Sequence, residues 1–225
     1  MRTTLNVDRS IDTRLLGAVL GWSGNARPYV IGIGGPSGVG KSTLADRFRR
    51  LLEDAGHHVL TIGVDDFFKD PRQREQLGEW GPEHVRLDEL RHLLDCIVAG
   101  SSGPLEVKQY RRMPEKGLYP WTITLDGVDV VILEGLYAIN SDPRLGNLLE
   151  VVDLPVFIDA DEEDRKRWRF EQEAAKPVSK DAARMEKHWV EGILPDTRDN
   201  VMPSRINAAI LLRADSQHRV QVAVE

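Results

Sequence analysis

The nine residues Gly35-Pro36-Ser37-Gly38-Val39-Gly40-Lys41-Ser42-Thr43 limit what this chain can fold into more than any other stretch. They fill the pattern G-x-x-x-x-G-K-[ST], and their flanks give them a structural frame. The apolar run YVIGI from Tyr29 reads as a strand. LADRFRRLLEDAG, with apolar residues at helical spacing and a stop at Gly56, reads as a helix. Glycines in such a turn let the backbone bend sharply and aim successive N–H groups inward, and the helix N-terminus behind them adds positive potential. The result is a nest for phosphates. Residues Gly35, Ser37, Gly38, Val39, Gly40, Lys41, Ser42 and Thr43 would cradle the tail of ATP, with Lys41 reaching the β- and γ-phosphates and the Ser42 hydroxyl on Mg²⁺. The overlapping Gly32-Ile33-Gly34 opens a dinucleotide fingerprint, but Ser37 occupies its third glycine position and no acidic residue ends the second strand at the required interval. That reading is rejected.

The remainder of the chain repeats the alternation of strand and helix. HVLTIGV is a second strand ending at Asp65-Asp66, and a polar stretch punctuated by Gly and Pro follows to Glu83. A helix runs from about Leu87 to Ala99 and closes at Gly100-Ser101-Ser102-Gly103-Pro104. VDVVILEG from Val128 and VVDLPVFIDA at 151–160 are apolar runs suited to strands buried on both faces. The charged region 161–189 is helical in character, AAILLRA at 208–214 is a last buried strand, and HRVQVAVE supplies a candidate edge strand. This pattern predicts an α/β fold: a three-layer P-loop NTPase architecture with a mostly parallel five-stranded sheet, helices on both faces, and a mobile helical lid at about 161–190. Residues 1–28, with an amphipathic helix at 11–22 and a break from Gly24 to Pro28, read as a helical lead-in to the P-loop domain at 29–225.

Composition narrows the function classes. At 225 residues and 41% hydrophobic content the chain can bury one sizeable core. A formal net charge of −6 argues against the basic stripe that nucleic-acid binding needs. Cys96 is the sole cysteine, which excludes internal disulfides and any cysteine-cluster metal site. No apolar stretch reaches the ~20 residues of a membrane span, and the N-terminal stretch carries acidic residues where a secretory leader would not. A cytoplasmic protein without a membrane partner is expected, and association into a homo-oligomer is left open.

A phosphate loop fixes a nucleotide and leaves the second substrate undecided. Asp65 ends the second strand, where the carboxyl ends of parallel strands converge on one crevice, and is placed to accept a hydroxyl proton during phosphoryl transfer. Asp66 is the more structural of the pair. Glu134 ends the strand VVILE and suits a carboxylate that holds Mg²⁺ directly or through water; an ion pair with an arginine is the other reading. Arg165 and Arg169, four apart on one helix face, could close over a triphosphate. Their acidic neighbours Glu162, Glu163, Asp164, Glu171 and Glu173 equally allow an ordinary solvated face.

With these residues in hand, the chain resembles the uridine kinase and phosphoribulokinase family, which includes bacterial pantothenate kinase, from about Tyr29 to Leu212. The loop GPSGVGKST looks like that family's form. Asp65-Asp66-Phe67-Phe68 is similar to its D-S-F-Y segment, whose first Asp is the base, and Glu134-Gly135-Leu136-Tyr137 to its E-G-[IL] segment. Asp159, Asp161 and Arg165 match a lid that begins D-x-D-x-x-x-R, and Arg169 matches a further lid arginine. Leu194-Pro195, Ser204-Arg205 and Ala208-Ala209-Ile210 resemble the end of a uridine kinase. The resemblance implies a kinase that moves the γ-phosphoryl group of ATP, with Mg²⁺, onto the hydroxyl of a small metabolite. Lys41, Arg165 and Arg169 would neutralise charge, and Asp65 would take the proton.

The departures fall on the acceptor side. Trp80 stands where the family's ribose-binding Asp would be, in Trp80-Gly81-Pro82-Glu83-His84. Tyr110 carries over from the pyrimidine-holding segment while its Asp and His do not, and Trp168 replaces a lid arginine. Arg111 and Arg112 suit an anionic acceptor or a surface role equally. Trp80, Tyr110, Arg112 and Tyr137, with Asp65, are the candidate acceptor contacts. The acceptor is therefore a nucleoside or another small alcohol such as a sugar, sugar phosphate or pantothenate-like acid. A regulatory ATPase without any acceptor is the rival from another class.

Overall fold

The computed structural model describes residues 5–22, 27–78, 80–101, 103–112, 115–175 and 181–223. The expectations that touch residues 1–4, 24–26, 102, 176–180 and 224–225 lie outside the described residues. In chain order the strands are β1 (Asn6–Val7), β2 (Tyr29–Gly34), β3 (Val59–Gly63), β4 (Leu105–Arg111), β5 (Gly117–Ile123), β6 (Val130–Glu134), β7 (Leu154–Asp159), β8 (Ile210–Ala214) and β9 (Arg219–Val222). The helices that frame them are α1 (Arg9–Leu20), α2 (Lys41–Asp54), α3 (Pro71–Glu75), α4 (Leu87–Val98), α5 (Glu162–Ala174) and α6 (Ala182–His188).

β2 is buried along its whole length, as an apolar run flanked by parallel neighbours and covered on both faces must be. It pairs in parallel with β6 on one side and β7 on the other, with β3 outside β6 and β8 outside β7. The main sheet runs β1-β9-β8-β7-β2-β6-β3 and has seven strands, where five were expected. The two additional strands are β9, antiparallel to β8, and β1, parallel to β9. β9 is therefore not the edge of the sheet. β1 is two residues long, too short to display any alternation, and is held by Asn6 N–H to His218 O (2.9 Å) and Asp8 N–H to Val220 O (3.0 Å). A second departure is the antiparallel hairpin β4–β5, a separate two-stranded sheet. The charged alternation of β4 (LEVKQYR) and Pro120 within β5 (GLYPWTI) hide it in the sequence.

Helices α1 and α2 cover one face of the sheet, with Ile11, Leu15, Leu44, Phe48 and Leu52 in that core. On the other face α4 buries Leu87, Leu90, Leu93, Leu94 and Ile97, each burial worth roughly 1.5–3 kcal/mol. The parallel arrangement brings the carboxyl ends of β2, β3, β6 and β7 to one rim. The phosphate loop, Asp65 and Glu134 leave the sheet there. Toward the C-terminus, α6 continues through wide π-turns at Trp189–Ile193 and Thr197–Val201, either side of Pro195, which has no N–H to give to a regular helical ladder.

Candidate active site

The loop from β2 to α2 has the shape of an anion cradle. Gly35 adopts φ +144°, and a Cβ there would lie 2.2 Å from Ile158 O. Gly38 adopts φ +88°, and a Cβ there would lie 2.7 Å from the carbonyl oxygen of Arg165. Only glycine fits either position. Gly40 caps α2 in a left-handed conformation without a side-chain acceptor, so the first N–H groups of α2 have no internal cap. Val39 is fully buried in the α2 core and anchors the loop from below, leaving only its backbone to serve a ligand. Thr43 lies in the first turn of α2. Lys41 folds back so that Nζ donates to Pro36 O at 2.9 Å. Burial lowers its pKa to about 8, against the pull of Glu134 and Asp65 toward the charged form.

Glu134 ends β6 beside this loop, and the Ser42 hydroxyl donates to its Oε1 at 2.8 Å. Burial pushes the Glu134 carboxyl up, opposed by the nearby Lys41 charge and the Ser42 hydrogen bond. The cation that acts on this carboxylate is thus Lys41 from the loop and not an arginine. Among the described residues no cluster of three or more His, Cys, Asp or Glu side chains could hold a metal unaided. A hydroxyl and a carboxylate in contact at a phosphate nest fit a hard cation that draws its other ligands from phosphate oxygens and water.

Asp65 and Asp66 point in different directions. Both sit in the 3-10 turn Val64–Phe67 that follows β3. Asp66 turns back, accepting from Gly63 N–H at 2.9 Å and from Gln109 Nε2 at 3.1 Å, and its burial raises its pKa. It locks the turn. Asp65 instead points into the cleft with its side chain about half exposed, and Arg112 Nη2 approaches it at 3.2 Å. The Asp65 carboxylate also acts on Lys41, Glu134 and Arg169, so all four share one space.

α5 supplies the cover. Arg167 and Lys166 take acidic partners, Asp164 at 2.7 Å and Glu186 at 2.7 Å, as residues on a solvated face do. Arg165 and Arg169 behave differently. Arg169 Nη1 donates to Ser37 Oγ at 3.0 Å, directly on the phosphate loop. Arg165 is 5% exposed, gives Nε to Ala160 O at 3.2 Å, and lies 5.9 Å from the Trp189 ring centroid. Its Nη1 is buried with no hydrogen-bond partner. Burial lowers the pKa of both guanidinium groups. An orphaned guanidinium N–H and the uncapped N-terminus of α2 fit an anion such as a triphosphate at this point. Trp168, which replaces a family arginine, is packed in the core against His218 at 4.1 Å between rings and does not face the loop.

Beyond Asp65 lies an aromatic cluster. Phe68 meets Trp80 edge-on at 5.0 Å and Tyr110 at 5.6 Å, and Trp80 also contacts His84 and His188. Of the expected acceptor contacts, Arg112 touches Asp65, whereas Trp80 and Tyr110 meet on Phe68, with Tyr110 and Phe68 buried. Tyr137 does not line the cleft, contrary to expectation: it is 0% exposed and its hydroxyl donates to both carboxylate oxygens of Asp196 at 2.9 Å. The apolar end of β6 draws the ring into the core, and only a buried acceptor can satisfy its O–H there. Sequence reasoning also missed Asp196 itself, which collects Asn200 Nδ2 at 2.9 Å and the Trp80 indole as well. Its partners are remote in sequence, and no local pattern marks it. Arg74, against Tyr110 and Phe68, was missed likewise.

Comparison with known proteins gives these features a context. Residues 30–176 match the model of the Phosphoribulokinase / Uridine kinase family. A pantothenate kinase of Corynebacterium efficiens is 28% identical over 229 residues, covering 88% of this chain and 67% of that protein. A chloroplastic uridine/cytidine kinase of Arabidopsis thaliana is 25% identical over 199 residues, covering 87% of this chain but 40% of its own length. Among solved structures, a D-glycerate 3-kinase from Cryptococcus neoformans shares the fold, with a TM-score of 0.71 over 96% of this chain and 98% of that one at 15% identity.

Proposed function

Since this chain belongs to the phosphoribulokinase and uridine kinase family, we propose that Asp65 is the base of a small-molecule kinase that works on the rim described above. The protein is an ATP-dependent phosphotransferase with an alcohol acceptor. The observation that carries the assignment of roles is the convergence of Asp65, Lys41, Glu134 and Arg169 in one electrostatic neighbourhood at the mouth of the loop.

In the reaction, the acceptor hydroxyl approaches Asp65, which orients the oxygen and takes its proton as the new O–P bond forms. The bond between the γ-phosphorus and the β–γ bridging oxygen breaks, and ADP leaves. Lys41, Arg165 and Arg169 neutralise the charge that spreads over the transferred group. Ser42 and Glu134 would hold Mg²⁺, which supplies further neutralisation of phosphate charge when bound. Arg112, now on Asp65, must yield to the incoming hydroxyl. Closure of α5 over the loop excludes water and limits idle hydrolysis of ATP. A cytoplasmic setting accords with an ATP donor.

The aromatic cluster favours a small alcohol other than a nucleoside. Trp80 stands where a ribose-binding carboxylate is needed, and a site that lacks the polar group for a hydroxyl loses discrimination for it. ADP release measured against a panel of nucleosides, sugars and pantothenate tests both levels. The expected outcome is stimulation by at least one alcohol, with Asp65→Asn reducing kcat by about 10²–10⁴-fold. Idle ATP hydrolysis that no alcohol stimulates and that Asp65→Asn leaves unchanged would instead identify a regulatory ATPase.

A further inference from the structure

Trp168 is a buried residue of α5 that the reaction above leaves unused. It is 2% exposed and falls in sequence between Arg165 and Arg169, the two arginines of the donor site. Its indole stacks on the His218 imidazole, with ring centroids 4.1 Å apart and planes inclined by 33°. His218 belongs to the turn that joins β8 to β9. Two further ties connect the same elements. Arg167 Nη2 donates to Ser216 O at 3.2 Å, and Arg213 on β8 pairs at 2.6 Å with Asp161, the residue that caps α5.

The backbone of His218 is left-handed, with φ +60°, a conformation that glycine adopts without steric cost. The turn itself does not call for an imidazole. His218 N–H donates to Asp215 O at 2.9 Å, and the Asp215 carboxylate accepts from the N–H groups of Gln217 and Arg219 at 2.9 and 3.0 Å, all without the His218 ring. An aromatic ring where glycine would be easier points to a task for the ring, and the partner it meets is α5.

The same residue reaches the other half of the donor site. His218 O accepts from Asn6 N–H at 2.9 Å, which sets β1 in place. Leu5, one residue earlier, packs on the phosphate loop, its Cδ1 3.2 Å from where a Cβ on Gly40 would stand. The two strands beyond the five expected, β1 and β9, thus touch the donor site through its loop and through its covering helix, and His218 takes part in both contacts. Arg169 Nη1 is on Ser37 Oγ at 3.0 Å, and the Arg165 carbonyl is close against Gly38. A small shift of α5 against the loop would move both arginines away from the phosphates together.

We infer that His218, acting through Trp168, is a positioning residue for ATP: the β8–β9 turn sets where α5 holds Arg165 and Arg169 over the phosphate loop. This rests on the kinase reading, in which those arginines meet the triphosphate. Calorimetry of Mg·ATP binding to the full chain tests it without any acceptor. His218→Asn suits the left-handed backbone but removes the ring, and should weaken Kd about 10-fold, within the ~10²-fold that a misplacement of about 1 Å can cost. His218→Phe restores a ring to stack on and should recover most of that affinity. In a double-mutant cycle, His218→Asn added to Arg169→Met should cost less than about 3-fold, because one of the arginines to be positioned is gone. Equal losses in the two backgrounds, or a Phe variant no better than Asn, would overturn the inference and leave the stack a merely structural contact. Affinity that falls with Arg169→Met but not with His218→Asn refutes this inference alone. Affinity indifferent to Arg169→Met refutes the donor-site reading beneath it, and the inference with it.

Discussion

Lys41 carries the sharpest conflict between stability and function at the scale of a single residue. Its side chain is partly buried and its pKa falls from 10.5 to about 8. Between those values the folded state binds fewer protons than the unfolded chain, so stability rises with pH across that window. Below it, the desolvated charge costs its full amount, on the order of 2 kcal/mol after screening. Lys41→Met should therefore raise the melting temperature of the ligand-free protein at pH 7 while lowering kinase activity by about 10² or more. Phosphate oxygens would restore the ammonium, so ATP binding at pH 8 should take up as much as about half a proton more in the unmodified protein than in the variant. Calorimetry in two buffers of different ionisation enthalpy reads this difference directly. Equal proton uptake by the two proteins would mean that Lys41 does not meet the phosphates.

At the scale of elements, the contact that matters most is between the phosphate loop and α5. Gly38 lets the carbonyl of Arg165 come close enough that a Cβ would stand 2.7 Å from it. That contact fixes the register in which Arg169 reaches Ser37. Gly38→Ala combines backbone strain of about 1–2 kcal/mol with displacement of α5. ATP affinity should fall by about 10–100-fold with an unchanged far-ultraviolet circular dichroism spectrum. Gly56→Ala is the matched control, since Gly56 has φ +92° and nothing within 4 Å of an added Cβ. It should lose about 1 kcal/mol of stability and no affinity for ATP, and a similar loss of affinity in both variants would discount the loop–α5 contact. The elements that form this contact were legible in the sequence because each announces itself locally, β2 by an unbroken apolar run and α2 by helical spacing. The hairpin β4–β5 and strand β1 were not legible. One mixes charged alternation in β4 with a proline in β5 and the other is two residues long, and both exist only through partners that local pattern cannot reveal.

Across the whole molecule, the site is assembled from pieces of chain more than a hundred residues apart, and legibility follows how each piece is specified. Residues whose chemistry depends on the end of a strand, such as Asp65 and Glu134, could be read from sequence because topology alone delivers them to the rim. Tyr137 and Asp196 could not, because their pairing depends on how the C-terminal segment packs against Tyr137 and Trp80, remote in sequence. That pairing is itself testable. Asp196 is a buried carboxylate whose pKa burial raises, while hydrogen bonds from Asn200, Tyr137 and Trp80 hold it down. Tyr137→Phe removes one of those donors without changing the ring, and should destabilise the protein by about 1–3 kcal/mol at pH 7. With a donor gone, the carboxyl pKa rises further, and a carboxyl raised in the folded state is relieved by protonation as pH falls through its folded value. The deficit should thus shrink when urea unfolding is repeated at acid pH, because the protonated acid no longer misses the lost O–H. The same variant should loosen Trp80, which shares Asp196, and so raise KM for the acceptor with little effect on KM for ATP. A deficit that is the same at every pH, or one that falls equally on both substrates, would mean that Asp196 does not tie the C-terminal segment to the aromatic cluster.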